Sequence, residues 1–64
     1  MNSKDLRTRM KRYREHELNP SMRLIALAVD MNYNYFTEWQ KGSKDIADDR
    51  LLVNIDTFLK SKGY

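Results

Sequence analysis

Side chains suited to specific hydrogen bonding are concentrated in the stretch NYNYFTEWQKG, residues 32–42. The stretch offers carboxamide, hydroxyl, carboxylate and ammonium groups, which together can bind the polar edges of planar ligands and neutralise anions. It also holds four of the seven aromatic residues of the chain. Three interpretations of this stretch are open: a strand, a core helix, or a surface that contacts a ligand.

Two periodicities overlap in this stretch. Residues 32–36 alternate polar and aromatic, as in a half-buried strand, whereas Phe36 and Trp39 lie three residues apart, as in a helix. We predict a helix over 33–41, because an isolated short strand between two helices has no partner to pair with. Phe36 and Trp39 should point inward, and Tyr33 and Tyr35 should either pack half-buried or contact a ligand. The opposite, exposed face is expected to consist of Asn34, Thr37, Glu38 and Lys41.

Catalytic and metal-binding chemistry has little support in the sequence. The chain has no cysteine, which excludes thiolate catalysis, disulfides and cysteine-ligated zinc. Its one histidine, His16, is expected to lie at a helix C-terminus and interact with the helix dipole. Asp45, Asp48 and Asp49 are expected to act as caps and dipole partners. With no Ser/His/Asp arrangement and no glycine-rich phosphate loop, we predict no enzyme activity, no metal and no cofactor.

The N-terminal half predicts two helices. The first spans 4–16 after a Ser3 N-cap, and the sequence Asn19-Pro20 ends it, because the residue before proline avoids helical angles. The second spans 22–29 after a Ser21 N-cap. The apolar stripe of the first helix consists of Leu6, Met10 and Tyr13. The second helix should bury Met22, Ile25, Ala26 and Val29.

The second helix is apolar on nearly every side, because Leu24, Leu27 and Ala28 fall outside its buried face. Such a helix is either enclosed or presents an interaction surface. Asp30-Met31-Asn32 predicts a tight turn after it, since Asp and Asn tolerate left-handed backbone angles.

The C-terminal half completes the domain. Asn32 is predicted to cap the third helix and Gly42 to end it. A fourth helix should span 48–61 after a cap at Asp45 or Asp48, with Gly63 following. Its core-facing stripe is Leu51, Leu52, Ile55, Phe58 and Leu59. We therefore predict an all-α fold, a small four-helix domain that occupies residues 1–64.

Charge and hydropathy suggest the kind of partner. The net charge is +3, and residues 1–18 carry six Lys/Arg against three Asp/Glu. A basic N-terminal third favours an anionic partner such as nucleic acid, while a solvated helix face is the equally plausible alternative. No apolar run approaches the roughly 20 residues of a membrane span, and no signal peptide opens the chain. We expect a cytoplasmic protein that makes no membrane contact.

The second helix, the turn and the third helix have the layout of a helix-turn-helix over 21–42. In this segment the chain resembles the lambda-repressor/Cro-like (Xre-type) family of bacterial and phage regulators. The matching positions are Ser21, Ile25-Ala26, Asn32, Phe36 and Gln40-Lys41-Gly42. Several positions depart from the family pattern. Met22 stands where a glutamine is common, Asp30 replaces a turn glycine, Glu38 is acidic, and the late basic residue of the first helix matches Arg14 only after a shift of one.

The resemblance implies sequence-specific binding of double-stranded DNA by a transcriptional regulator, with helix 33–41 in the major groove. By position, Tyr33, Asn34 and Thr37 would face base edges, and Glu38 would lie deeper along the helix. Contacts to phosphates would come from Arg14, Lys41, Lys44 and the amides of Ser21 and Met22. A homodimer is expected, because one domain of this size makes few contacts.

Two other functions remain open. A protein-binding module on the same fold, such as a phage-encoded inhibitor or adaptor, is favoured by Leu24 and Leu27, which replace residues usually polar in the family. An accessory factor for excision or recombination would instead bind and bend DNA. The dimer surface could use the last helix with Tyr64, or the two leucines.

Overall fold

The computed structural model describes residues 2–64 and contains four α-helices without a strand in that range. The helices are α1 (Ser3–His16), α2 (Met22–Ala28), α3 (Tyr33–Lys41) and α4 (Asp49–Ser61). The all-α, four-helix prediction is confirmed. The predicted bounds of α3 agree with the structure, and those of the other helices differ by one residue at one end.

Short polar side chains cap the N-termini of α2, α3 and α4 at residues that the sequence predicts. Ser21 Oγ accepts from the Leu24 amide, Asn32 Oδ1 from the amide of Asn34, and Asp48 Oδ1 from the amide of Arg50. The predicted cap of α1 is wrong, because Asn2 Oδ1 accepts from the amides of residues 4 and 5 while Ser3 is already helical. The Ser3 hydroxyl instead accepts a hydrogen bond from Trp39 Nε1 at 2.8 Å.

All four helices end in the same way, with a residue of positive φ followed by an amide that bonds five residues back. The amides of residues 19, 31, 43 and 64 donate to the carbonyls of residues 14, 26, 38 and 59. This is the Schellman arrangement, which satisfies carbonyls that the helix leaves free. Glycine fills the left-handed position after α3 and α4, but Leu18 and Asp30 fill it after α1 and α2. Asp30 therefore adopts the left-handed turn expected from the sequence.

The first helix ends at the predicted residue, ahead of Asn19-Pro20. Helix α1 stops at His16, and both Leu18 and Asn19 adopt positive φ before Pro20. His16 is the last helical residue, and its Nδ1 lies 3.1 Å from the Tyr64 hydroxyl. The C-terminal tyrosine thus packs on the end of α1, where its ring also meets Tyr13 edge-on.

One hydrophobic core joins the helices. It contains the predicted stripe of α1, most of those of α2 and α4, and both Phe36 and Trp39, which are fully buried. Met22 and Phe58, which were predicted to face the core, are only partly buried against it. Two further core residues, Met31 and Ile46, come from the loops on either side of α3. Helix α3 is therefore anchored at its two ends as well as along its inner face.

Arg7 fixes the loop that follows α3. Its guanidinium donates through Nε to the Trp39 carbonyl and through a terminal nitrogen to the Lys44 carbonyl and the Asp45 carboxylate. The Tyr35 hydroxyl donates to the Asp45 carbonyl at 3.1 Å. Tyr35 is therefore a packing residue, and the loop that carries Lys44 is tied to both α1 and α3.

Candidate nucleic-acid interface

The outward face of α3 is polar, as the helical phase predicts. Asn34 and Lys41 are exposed, while Thr37 and Glu38 are half-buried on the same side. This face lies opposite Phe36, which is fully buried in the core. The structure thus brings four of the predicted site residues onto one surface.

The side chains on this face differ in their freedom to bind a ligand. The side-chain carboxamide of Asn34 makes no hydrogen bond within residues 2–64, so both its donor and its acceptor are available to a ligand. The Thr37 hydroxyl instead donates to the Asn34 carbonyl at 2.9 Å, inside its own helix. Thr37 therefore retains only an acceptor lone pair and a methyl group for outward contact.

Basic side chains flank the C-terminal end of α3. Lys41 ends the helix and Lys44 follows two residues after Gly42, and both are exposed. Neither lysine forms an ion pair with another residue in the range 2–64. Because Arg7 holds the Lys44 carbonyl, the backbone position of this lysine is fixed while its ammonium group remains available to an anion.

The start of α2 has fewer free groups for binding a phosphate than the sequence suggests. The Ser21 hydroxyl is occupied by the amide of Leu24, and the Met22 side chain packs partly buried against the core. Only the backbone amides of this short helix start remain for an anion. The predicted contacts of Ser21 and Met22 with phosphate stay a prediction of the resemblance.

Arg14 is held partly inside the fold. It is half-buried, and its Nε is enclosed without a hydrogen-bond partner among residues 2–64. An enclosed Nε directs the remaining hydrogen-bonding capacity of the guanidinium to its terminal nitrogens. Arg14 can therefore serve an anion only through those two nitrogens.

Much of the N-terminal basic charge is used internally. Arg9 donates to the Asp56 carboxylate at 2.8 Å and to the Tyr64 carbonyl at 3.0 Å, and Arg7 pairs with Asp45 at 2.9 Å. The hydrogen bond from Arg9 is the largest influence that lowers the pKa of Asp56 below its usual value. Sequence counting could not separate these two structural arginines from the exposed basic residues.

One residue pair at the interface was missed by the sequence analysis. The Arg23 guanidinium carbon lies 4.2 Å from the centroid of the Tyr33 ring. Tyr33 opens α3 and is half-buried, so the pair links the first turn of α2 to the N-terminal end of α3. The two residues are ten positions apart, and a cation–π contact at that separation has no periodic signature in a sequence.

A separate apolar surface lies on α2. Leu24 is 67% exposed and Leu27 is 76% exposed, so the outward face of this helix is not enclosed. Beside Leu24 is a groove of about 190 Å³ between α2 and α4, lined also by Pro20 and Phe58. The sequence left open whether α2 was enclosed, and the structure shows that its outward leucines are exposed.

Residues 2–64 contain neither a metal-binding cluster nor a helix that could span a membrane. Within this range no group of three acidic, histidine or cysteine side chains is placed to hold a metal ion. Asp48 caps α4, Asp49 lies in its first turn, and Asp45 pairs with Arg7. No helix in the same range is long and apolar enough to cross a lipid bilayer.

No protein-family model, curated protein or solved structure matches the chain. The likeness to lambda-repressor-like regulators therefore rests on the residue pattern of 21–42 alone.

Proposed function

We propose that the chain is a sequence-specific regulator that binds double-stranded DNA, with the outward face of α3 in the major groove. One observation carries the proposal: Asn34 presents a side-chain carboxamide with no hydrogen bond within residues 2–64 on the outward face of α3. Lys41, at the end of this helix, and Lys44, in the loop after it, form no ion pair in the same range. A carboxamide can bond the N6 and N7 atoms of adenine together, and ammonium groups neutralise the phosphates on either side of a groove.

The remaining residues on this face have narrower roles. Thr37 offers its methyl group to a thymine methyl, because its hydroxyl hydrogen is already donated within the helix. Glu38 accepts from a cytosine amino group, the major-groove donor with which carboxylates commonly pair. Arg14 contacts a phosphate through its terminal nitrogens.

The regulator is proposed to act as a homodimer in the cytoplasm, where its DNA would lie. A two-fold axis would place two copies of α3 in successive major grooves, about 34–36 Å apart. Doubling the contacts compensates for the small interface that one such domain provides. Sedimentation of the chain with a two-site duplex would report the stoichiometry.

The experiment that tests the function selects bound sequences from random duplex DNA and then measures affinity for the selected and a scrambled duplex. Asn34→Ala should weaken binding to the selected duplex by about 1–3 kcal/mol and leave the scrambled duplex unaffected. Lys44→Ala is the matched control, because it should weaken both duplexes alike and reduce the salt slope by about one. Equal losses on both duplexes for Asn34→Ala would contradict base recognition by α3.

A second candidate function, binding of a protein partner, is supported by the exposed Leu24 and Leu27. Two leucines on one outward helix face, beside an apolar groove, resemble the anchors that a partner covers. Replacing both leucines with glutamine, which adds no charge near the DNA, should abolish that complex but leave DNA affinity intact. If the wild-type chain binds no duplex even at low salt, the protein-binding function replaces the first.

A DNA-bending accessory factor is the third candidate. It differs from a regulator in the shape of the complex, since bending changes the end-to-end distance of the duplex. Energy transfer between dyes at the two ends of a selected duplex distinguishes the two functions.

A further inference from the structure

Arg23 is held on the ring of Tyr33 more closely than any other cation on an aromatic ring in residues 2–64. The distance is 4.2 Å, against 5.6 Å for Arg7 over Trp39 and 5.5 Å for Lys62 over Phe58. Arg23 is nevertheless an exposed residue and forms no ion pair or hydrogen bond through its side chain in that range. Its full set of donors is therefore unused.

The stack restricts Arg23 without consuming its hydrogen-bonding capacity. The attraction of a guanidinium to an aromatic ring does not require its N–H groups to bond a protein acceptor, so they remain available as donors. An arginine held in this way loses less side-chain freedom when it binds an anion than a free arginine would. The planar fork of donors matches two oxygens of a phosphate group.

The location of the Arg23–Tyr33 pair indicates which anion Arg23 would bind. Tyr33 is the first residue of α3 and Arg23 the second residue of α2, so the guanidinium lies at the N-terminal end of the proposed recognition helix. Lys41 and Lys44 lie at the opposite end. Cations at both ends of a helix nine residues long suit the two phosphate backbones that border a major groove, which is about 12 Å wide.

We propose that Arg23 binds a backbone phosphate of duplex DNA through its terminal nitrogens and that Tyr33 is the positioning residue that holds it. This inference rests on the proposed function and changes the role of Tyr33. The sequence resemblance implied that Tyr33 faces base edges. With a guanidinium on its ring, Tyr33 acts through Arg23 and contributes no base specificity of its own.

The test measures the affinity of variants for the selected and the scrambled duplex over a series of salt concentrations. Arg23→Ala should weaken binding to both duplexes by about tenfold or more, which is the loss expected for one charge-assisted hydrogen-bonded contact. It should also reduce the salt slope by about one. Arg23→Lys should restore the slope but not all of the affinity, because an ammonium group lacks the planar fork. Arg12→Ala is the matched control. It removes the same charge from a depression on α1 that Glu15 and His16 also line.

The positioning role of Tyr33 is tested by coupling. Tyr33→Phe keeps the ring and should bind DNA like the wild type, whereas Tyr33→Leu should weaken both duplexes. In the Arg23→Ala background, Tyr33→Leu should cause no further loss. A residue that only stabilised the fold would cause the same loss in either background. Thermal melts of each variant verify folding, and if Tyr33→Leu does not fold, the Arg23→Ala and Arg23→Lys pair decides the phosphate contact.

Each contrary result has a distinct meaning. If Arg23→Ala behaves like Arg12→Ala while Lys44→Ala weakens both duplexes, the Arg23 contact is wrong and the proposed function survives. A loss confined to the selected duplex would make Arg23 a base contact and overturn the assignment to phosphate. If the wild type binds neither duplex at low salt, both proposals fall.

Discussion

Replacing Leu18 with glycine is expected to stabilise the domain. It occupies the left-handed position after α1 with φ of 60°, and its side chain is 89% exposed. Left-handed geometry costs an L-residue about 1–2 kcal/mol. Glycine avoids that cost but adds about 0.5–1 kcal/mol of chain entropy in the unfolded state. With almost no buried surface to lose, Leu18→Gly should raise the free energy of unfolding by about 0.5–1 kcal/mol.

The matched change is the reverse substitution at the end of α3. Gly42 has φ of 92°, and a Cβ added there meets no atom within 4 Å, so Gly42→Ala isolates the backbone cost. It should destabilise the domain by a similar amount. In a chain of this size each kcal/mol shifts the melting temperature by about 4–8 °C. Thermal melts followed by circular dichroism should therefore show a rise for Leu18→Gly and a fall for Gly42→Ala. A lower melting temperature for Leu18→Gly would mean that the left-handed position after α1 is not strained.

Trp39→Ala should cost about 3–5 kcal/mol and leave little cooperative unfolding, because it removes a fully buried ring and the hydrogen bond to Ser3; a melt within a few degrees of the parent would contradict this. Glu38→Gln should strengthen binding to scrambled DNA, since a carboxylate near phosphates is lost, and should reduce preference at one base pair. Unchanged titrations on both duplexes would show that this face of α3 is idle. The lowered pKa of Asp56, caused first by its hydrogen bond from Arg9, adds stability at neutral pH that is lost as the pH falls below the usual value of 3.8 toward the folded pKa. Asp56→Asn should therefore lose less stability than the wild type between pH 5 and pH 2, and equal losses in urea titrations would argue against that linkage.

Local chemistry made the elements predictable. The caps Ser21 and Asn32 and the stop at Gly42 act within a few residues of themselves, so their effect can be predicted without knowing the fold. The burial of Phe36 and Trp39 follows equally from helical spacing. The same reasoning predicted which side of α3 faces outward, and that prediction defines the candidate site.

The cap of α1 shows where local reasoning stops. Asn2 and Ser3 are both good caps by residue type. Ser3 is drawn into the helix, where its hydroxyl accepts from Trp39, a residue 36 positions away. The contact of Ser3 with Trp39, which is tertiary, therefore distinguishes two residues that are equally suited by type to cap α1.

The sequence by itself determined four helices, their order and the polar face of α3, because capping and apolar periodicity are properties of neighbouring residues. Only the tertiary structure decided which cations are free. Arg7 and Arg9 look like surface charge in the sequence, yet they bind groups on the loop after α3 and on α4. Arg23 looks the same and is left exposed on Tyr33. These assignments depend on which distant groups the packed helices bring within hydrogen-bonding or stacking distance, and no local pattern records that distance.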